Sequence, residues 1–265
     1  MKIDRRKKDK NDSTCNICLD EIKLSKDHVP PKGVTGGADV VYSNWLGQKL
    51  LANQNPRLQQ SQSGFYFQTI CSSCNSRMNR GDSFLKELSK SIIKIIESPL
   101  IIEYPLTVKT RPNAVIRAIL GHLLASKRQV DSMVFDDLVR PCLQDYSLPI
   151  PKDIHLYCWI HPFQKTFIIR DLCMQISKEA GFDIDNISHF HFLKFYPLGF
   201  AITATPEFEG IKNLDNFHDY PLEAEGEFKL NLAPINSENW PHDAEYRDFL
   251  AFGKTGADGL TAKNK

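Results

Sequence analysis

The chain has 265 residues, 42% of them hydrophobic and 25% charged, with a formal net charge of +1. That length admits one or two domains, and the composition excludes a disordered, collagenous or low-complexity chain. No run approaches the roughly 18–20 uninterrupted apolar residues of a membrane span, and the first residues are polar where a secretory signal would be apolar, so a soluble, cytoplasmic protein with no membrane partner is expected.

The small net charge hides an asymmetry, because residues 1–99 hold 16 Lys and Arg against 10 Asp and Glu, while the remainder holds 17 against 22. A local basic excess suits a polyanion such as DNA, with an ordinary solvated charged face as the alternative. Residues 1–12, with Arg5, Arg6, Lys7 and Lys8 and almost no apolar content, read as a flexible basic arm that touches phosphates.

Four of the seven cysteines form two Cys-x-x-Cys pairs, Cys15 with Cys18 and Cys71 with Cys74. In a reducing compartment such pairs read as zinc ligands before disulfides, because two tight knuckles deliver four thiolates to one tetrahedral ion. An all-thiolate site of this kind is closed and structural. Cys142, Cys158 and Cys173 are scattered and read as small core residues.

After the first knuckle the chain reaches Asp27-His28-Val29-Pro30-Pro31, where paired prolines force an extended segment that ends a strand. Residues 32–64 read as a long insertion with one short helix. The alternation from Phe65 to Ile70 predicts a strand entering the second knuckle, and the recurrence of Leu85, Leu88, Ile92 and Ile96 predicts a helix running from it to Pro99.

With Asp27-His28-Val29-Pro30-Pro31 upstream and Cys71-Ser72-Ser73-Cys74-Asn75 downstream, residues 13–98 resemble the HNH endonuclease family. The resemblance implies a ββα-metal domain stapled by a structural zinc, within an α+β protein. It implies His28 as general base, Asp27 and Asn75 as ligands of a catalytic Mg2+ or Mn2+, Asn79 one helical turn on as a further ligand, and DNA as substrate. Lys32, Arg77 and Arg80 would contact phosphates. Nucleases resembling this one serve phage defence, restriction and mobile elements. A histidine is suited to the base because its ordinary pKa lies near about 6.5, and oxygen ligands suit hard cations. One departure stands out: where the family has an asparagine about five residues before the second knuckle, this chain has Tyr66, with Asn44, Asn53 and Asn55 as candidate replacements. A non-catalytic zinc-ribbon module that binds nucleic acid or protein is the competing expectation.

Residues 99–253 read as an α+β accessory domain for recognition, a protein partner or an activator. A helix is expected at 113–127 with Asn113 as its cap and His122 packed in the core, followed by strands at 155–160, 165–170, 189–196 and 199–203. His189 and His191 would share one strand face, which reads as a half-exposed surface rather than a metal site. Residues 254–265 are expected to be a disordered tail.

Overall fold

In the computed structural model of the chain, residues 14–50, 58–99, 104–128, 133–176, 187–208, 210–242, 248–251 and 259–264 are described. The basic arm with Arg5, Arg6, Lys7 and Lys8 lies outside them, as do Asn53 and Asn55.

The first knuckle leads into strand β1 (Leu24–His28), and the expected loose insertion then forms helix α1 (Lys32–Thr35), strand β2 (Val40–Asn44), helix α2 (Trp45–Leu50) and strand β3 (Gln59–Ser61). The polar Gly, Asn and Gln content masked two short strands whose partners lie far along the chain. Strand β4 (Tyr66–Cys71) pairs antiparallel with β1 and runs directly into helix α3 (Ser72–Ile96). The apolar stripe of α3 is buried through Met78, Leu85, Leu88 and Ile92, as its 3.6-residue period predicts.

Next come strand β5 (Leu106–Thr110), helix α4 (Pro112–Ala125) and helix α5 (Val134–Gln144). Pro112 takes the first position of α4 after Arg111, since the missing amide hydrogen costs nothing there. Asn113 is therefore inside the helix rather than its cap, and its side chain donates to the carbonyls of Phe217 and His218 while accepting from Arg117. Helix α4 is buried on every side, which is why it carries no polar face.

The remaining strands are β6 (His155–Ile160), β7 (Lys165–Gln175), β8 (Ile187–Phe195), β9 (Leu198–Thr203), β10 (Gly226–Leu230), β11 (Phe249–Ala251) and β12 (Leu260–Asn264). An antiparallel sheet runs β3-β2-β12-β7-β8-β9-β6, with β11 on β7 beyond β12, while β10 pairs with β5. Residues 260–264, expected to be disordered, thus form the strand that joins β2 to β7. Two strands from the 13–98 region lie in one sheet with the strands of the accessory region, so hydrogen bonding crosses the boundary drawn at residue 99.

Both faces of this sheet are covered. Leu156, Cys158, Ile160, Leu193 and Phe195 face the cluster that holds α3 and α4, and the alternate residues Tyr157, Trp159, Phe190 and Phe192 pack with Trp45 and Trp240 on the other side. Two-sided burial explains why these strands read as nearly continuous apolar runs. Cys142, Cys158 and Cys173 are all buried, as expected.

Two contacts set how α4 sits. A Cβ on Gly81 would lie 2.5 Å from the Ala114 carbonyl oxygen and 2.8 Å from the Ala118 Cβ, so only glycine permits this approach of α3 to α4. At the far end, Asp136 of α5 is wholly buried between Lys127 and Arg170, with Arg170 Nη2 2.7 Å from its Oδ1 and Lys127 Nζ on Oδ2. Burial pushes the Asp136 carboxyl up, but the two cations outweigh it and hold it below the ordinary range.

Gly81→Ala is expected to lower stability by about 1–3 kcal/mol in denaturant titrations, the overpacking cost exceeding the gain in helix propensity. Asp136→Asn, which leaves two buried cations without their carboxylate, is expected to cost about 3–5 kcal/mol at neutral pH. Because the folded-state pKa of Asp136 is depressed, this contribution is present above the unfolded value of 3.8 and is lost as pH falls through the folded value. The gap between wild type and variant should therefore close only in acid below about pH 4, as read from urea midpoints across pH.

Candidate functional site

The two knuckles meet where β4 becomes α3. The sulfurs of Cys15, Cys18, Cys71 and Cys74 all lie within 4.8 Å of one another, with Cys18 and Cys71 3.9 Å apart. A tetrahedral zinc with bonds of about 2.3 Å needs sulfurs about 3.8 Å apart, so the set fits such an ion. The chain folds this way for local reasons. Leu19, in the left-handed region at φ 65°, closes the first knuckle, and the Cys71 amide donates to the Cys15 sulfur at 3.3 Å. A hydrogen bond with Cys74 pulls the Cys15 thiol down, while that bond and burial push Cys74 up, so the thiols compete for charge. A cation among them supports all four as thiolates.

The knuckles are also tied to α4. Asn16 donates to the carbonyls of Leu124 and Lys127 at 2.9 and 2.6 Å, and the Thr69 hydroxyl donates to that of Ala125. These side chains satisfy carbonyls that the end of a helix leaves orphaned.

Beside the four sulfurs lies a solvent-open cavity of about 360 Å³, whose lining includes Asp27, His28, Lys32, Asn75 and Asn79, all singled out in the sequence. Asp27 and His28 are neighbours on β1, where side chains should point to opposite faces, and a register shift between Ser25 and Asp27 accompanies their shared cavity. Asn75 braces that irregularity by donating its amide to the Lys26 carbonyl at 2.9 Å and to the Ser25 hydroxyl at 3.3 Å. The Asn75 carbonyl oxygen accepts no hydrogen bond among the described residues.

His28 is half-buried. Burial lowers its pKa, Asp27 opposes and Lys32 assists, and a backbone hydrogen bond at Ser63 also favours the charged form. The net effect is downward, so the ring is neutral near pH 7 and able to accept a proton. Ser63 itself sits in the left-handed region at φ 71°. Tyr66 lies directly across the strand pair from His28, with ring centroids 6.1 Å apart. Asn44 is outside the cavity lining, and its side chain accepts from the Gly47 amide at 2.6 Å.

Asp27 is buried. Its Oδ2 lies 3.0 Å from His122 Nδ1, and the other ring nitrogen lies 2.7 Å from Asp82 Oδ1. Burial alone would lower the pKa of His122, but Asp82 and then Asp27 raise it well above the ordinary value, so the ring is an imidazolium donating to both carboxylates. His122 is thus the packed histidine expected, with two specific partners.

Asp82, Ser83 and Lys86 also line the cavity and were missed in the sequence. They lie seven, eight and eleven residues after Asn75, so helical spacing from Asn75 and Asn79 could have found them. The same spacing turns Arg77 and Arg80 away from the cavity. Arg80 pairs with Glu223 at 2.6 Å on the surface, and the exposed Arg77 offers its carbonyl to Tyr146 at 3.1 Å. His189 and His191 share a strand face, and the four cysteines are the only cluster of three or more metal-ligating side chains of this kind among the described residues.

Among the described residues no helix is long and apolar enough to cross a membrane. Neither a known protein family, nor a curated protein, nor a solved structure matches the chain. The geometry is accordingly that of a mixed α/β protein whose four cysteines could hold a metal ion such as zinc.

Metal analysis of the purified chain should find one zinc per molecule, and Cys15→Ser or Cys74→Ser should lose it with a fall in thermal midpoint. Retention of full zinc content by both variants would show that the metal sits elsewhere.

Proposed function

We propose that the chain is a divalent-metal-dependent endonuclease of HNH type that hydrolyses DNA phosphodiester bonds. One observation carries the reading: a neutral His28 opens onto the same cavity as the oxygen-bearing Asp27, Asn75, Asn79 and Asp82. The strand–strand–helix order of β1, β4 and α3, with four thiols at its joint, supports the resemblance drawn from the sequence.

In this reading His28 takes the proton from the attacking water. The donor set of two carboxylates and two amides is all oxygen, which fits a hard cation such as Mg2+ or Mn2+. Such a cation would offset charge on the phosphate and the leaving oxygen. His122 holds Asp27 and Asp82 in one frame. Lys26, Lys32 and Lys86 on the cavity lining attract the phosphate backbone, and the arm from Arg5 to Lys8 adds salt-sensitive affinity.

A second reading rests on the hydrogen bonds that occupy Asp27 and Asn75. If bracing β1 is their whole role, the chain is a zinc-ribbon module that binds nucleic acid without cutting it.

Supercoiled plasmid incubated with Mg2+ or Mn2+ should be nicked or linearised by the wild type. His28→Ala should reduce the rate by about 10²–10⁴-fold, with zinc content and DNA binding unchanged. Cutting by His28→Ala at the wild-type rate would remove the assignment, and binding without cutting under either ion would favour the module.

A further inference from the structure

A second cavity, of about 480 Å³, lies between α5 and the sheet, and shares no lining residue with the one beside the cysteines. Its size falls in the range of about 300–1,000 Å³ typical of small-molecule sites. Met133, Phe135 and Leu138 are among its apolar walls, and Asp153, Asp171 and His191 are among its polar groups.

Asp171 is the unusual member. It sits where the pairing of β7 with β8 shifts register between Ile169 and Leu172, in the left-handed region at φ 52°. Bulges of this kind re-aim a side chain, and strained backbone of this kind gathers at ligand sites. The residue is 1% exposed, yet its Oδ2 has no hydrogen-bond partner among the described residues. Its Oδ1 stands 3.8 Å from Arg170 Nη2 and 3.7 Å from His191 Nδ1, both beyond hydrogen-bond reach. Arg170 is instead committed to Asp136, and His191 Nδ1 accepts the Asp171 amide at 3.1 Å. Unsatisfied buried carboxylate oxygens are costly, so a site that retains one has a use for its acceptor.

We propose that this cavity binds a small, largely apolar organic molecule whose nitrogen donor, such as a protonated amine, meets Asp171. The apolar walls take the hydrocarbon body. The carboxylate selects a donor and repels anions, which separates this ligand from any phosphate chemistry at the other cavity. Phe135, tilted against His191 with 4.1 Å between ring centroids, offers an aromatic surface beside the donor.

Phenethylamine is the probe, with phenylacetate as an anion of similar size, each titrated into the full chain and followed by amide chemical shifts. Saturable shifts at Leu138 and Ile154 are expected with the amine, and binding of the anion at least about tenfold weaker. Asp171→Asn should weaken the amine by at least about tenfold while keeping the fold, since asparagine tolerates the left-handed backbone. Ala204→Trp, at an exposed lining position, should block the amine without disturbing the core. Absence of saturable shifts, equal affinity for amine and anion, or unchanged amine binding in either variant would each overturn the proposal.

Discussion

The arrangement turns on a single imidazolium. His122, wholly buried on α4, donates to Asp27 of β1 through one ring nitrogen and to Asp82 of α3 through the other. Burial alone would favour a neutral ring; the partly exposed Asp82 and the buried Asp27 hold it charged. The triad fixes three elements that converge from distant parts of the chain. It also depends on Gly81, because the approach of α3 to α4 that seats the ring leaves no space for a Cβ. A glycine with no chemistry of its own therefore governs where two carboxylates sit.

The four cysteines act on the same frame from its other end. They fix the junction of β4 with α3, and Asn75 follows Cys74 directly, so its reach to the Lys26 carbonyl is set by the metal-ligand geometry. Asn16 and Thr69 carry the constraint onward to the last carbonyls of α4. Knuckle, strand, helix and helix end form a closed circuit of short contacts, and the cavity opens on its outer side. Rigid support of this kind is what a site needs if its groups are to be held within tenths of an ångström.

What could be read from the sequence divides by range. The β4–α3 junction, the stripe of α3 and the strand β6 follow from local period and punctuation, and the cysteine cluster follows from spacing. Asp82 and Lys86 were legible in principle, two and three turns beyond Asn75 on the same face. Arg77 and Arg80 are closer in sequence to the knuckle yet lie on other faces of α3. The partnership of His122 with Asp27 joins residues 95 positions apart, and no local pattern announces it. Strands β2, β3 and β12 were missed for the same reason: each is short and polar at intervals, and its identity comes from a distant partner.

Strand β12 lies between β2 and β7, so residues 260–264 join two strands made much earlier. During synthesis the emerging polypeptide must keep those two strands apart, each with an unsatisfied rim of amides and carbonyls, until the last rung arrives. Long-range closure of this sort slows folding and leaves bare rims exposed to other molecules in the interval. Self-association of this protein under heat or crowding would begin at that seam.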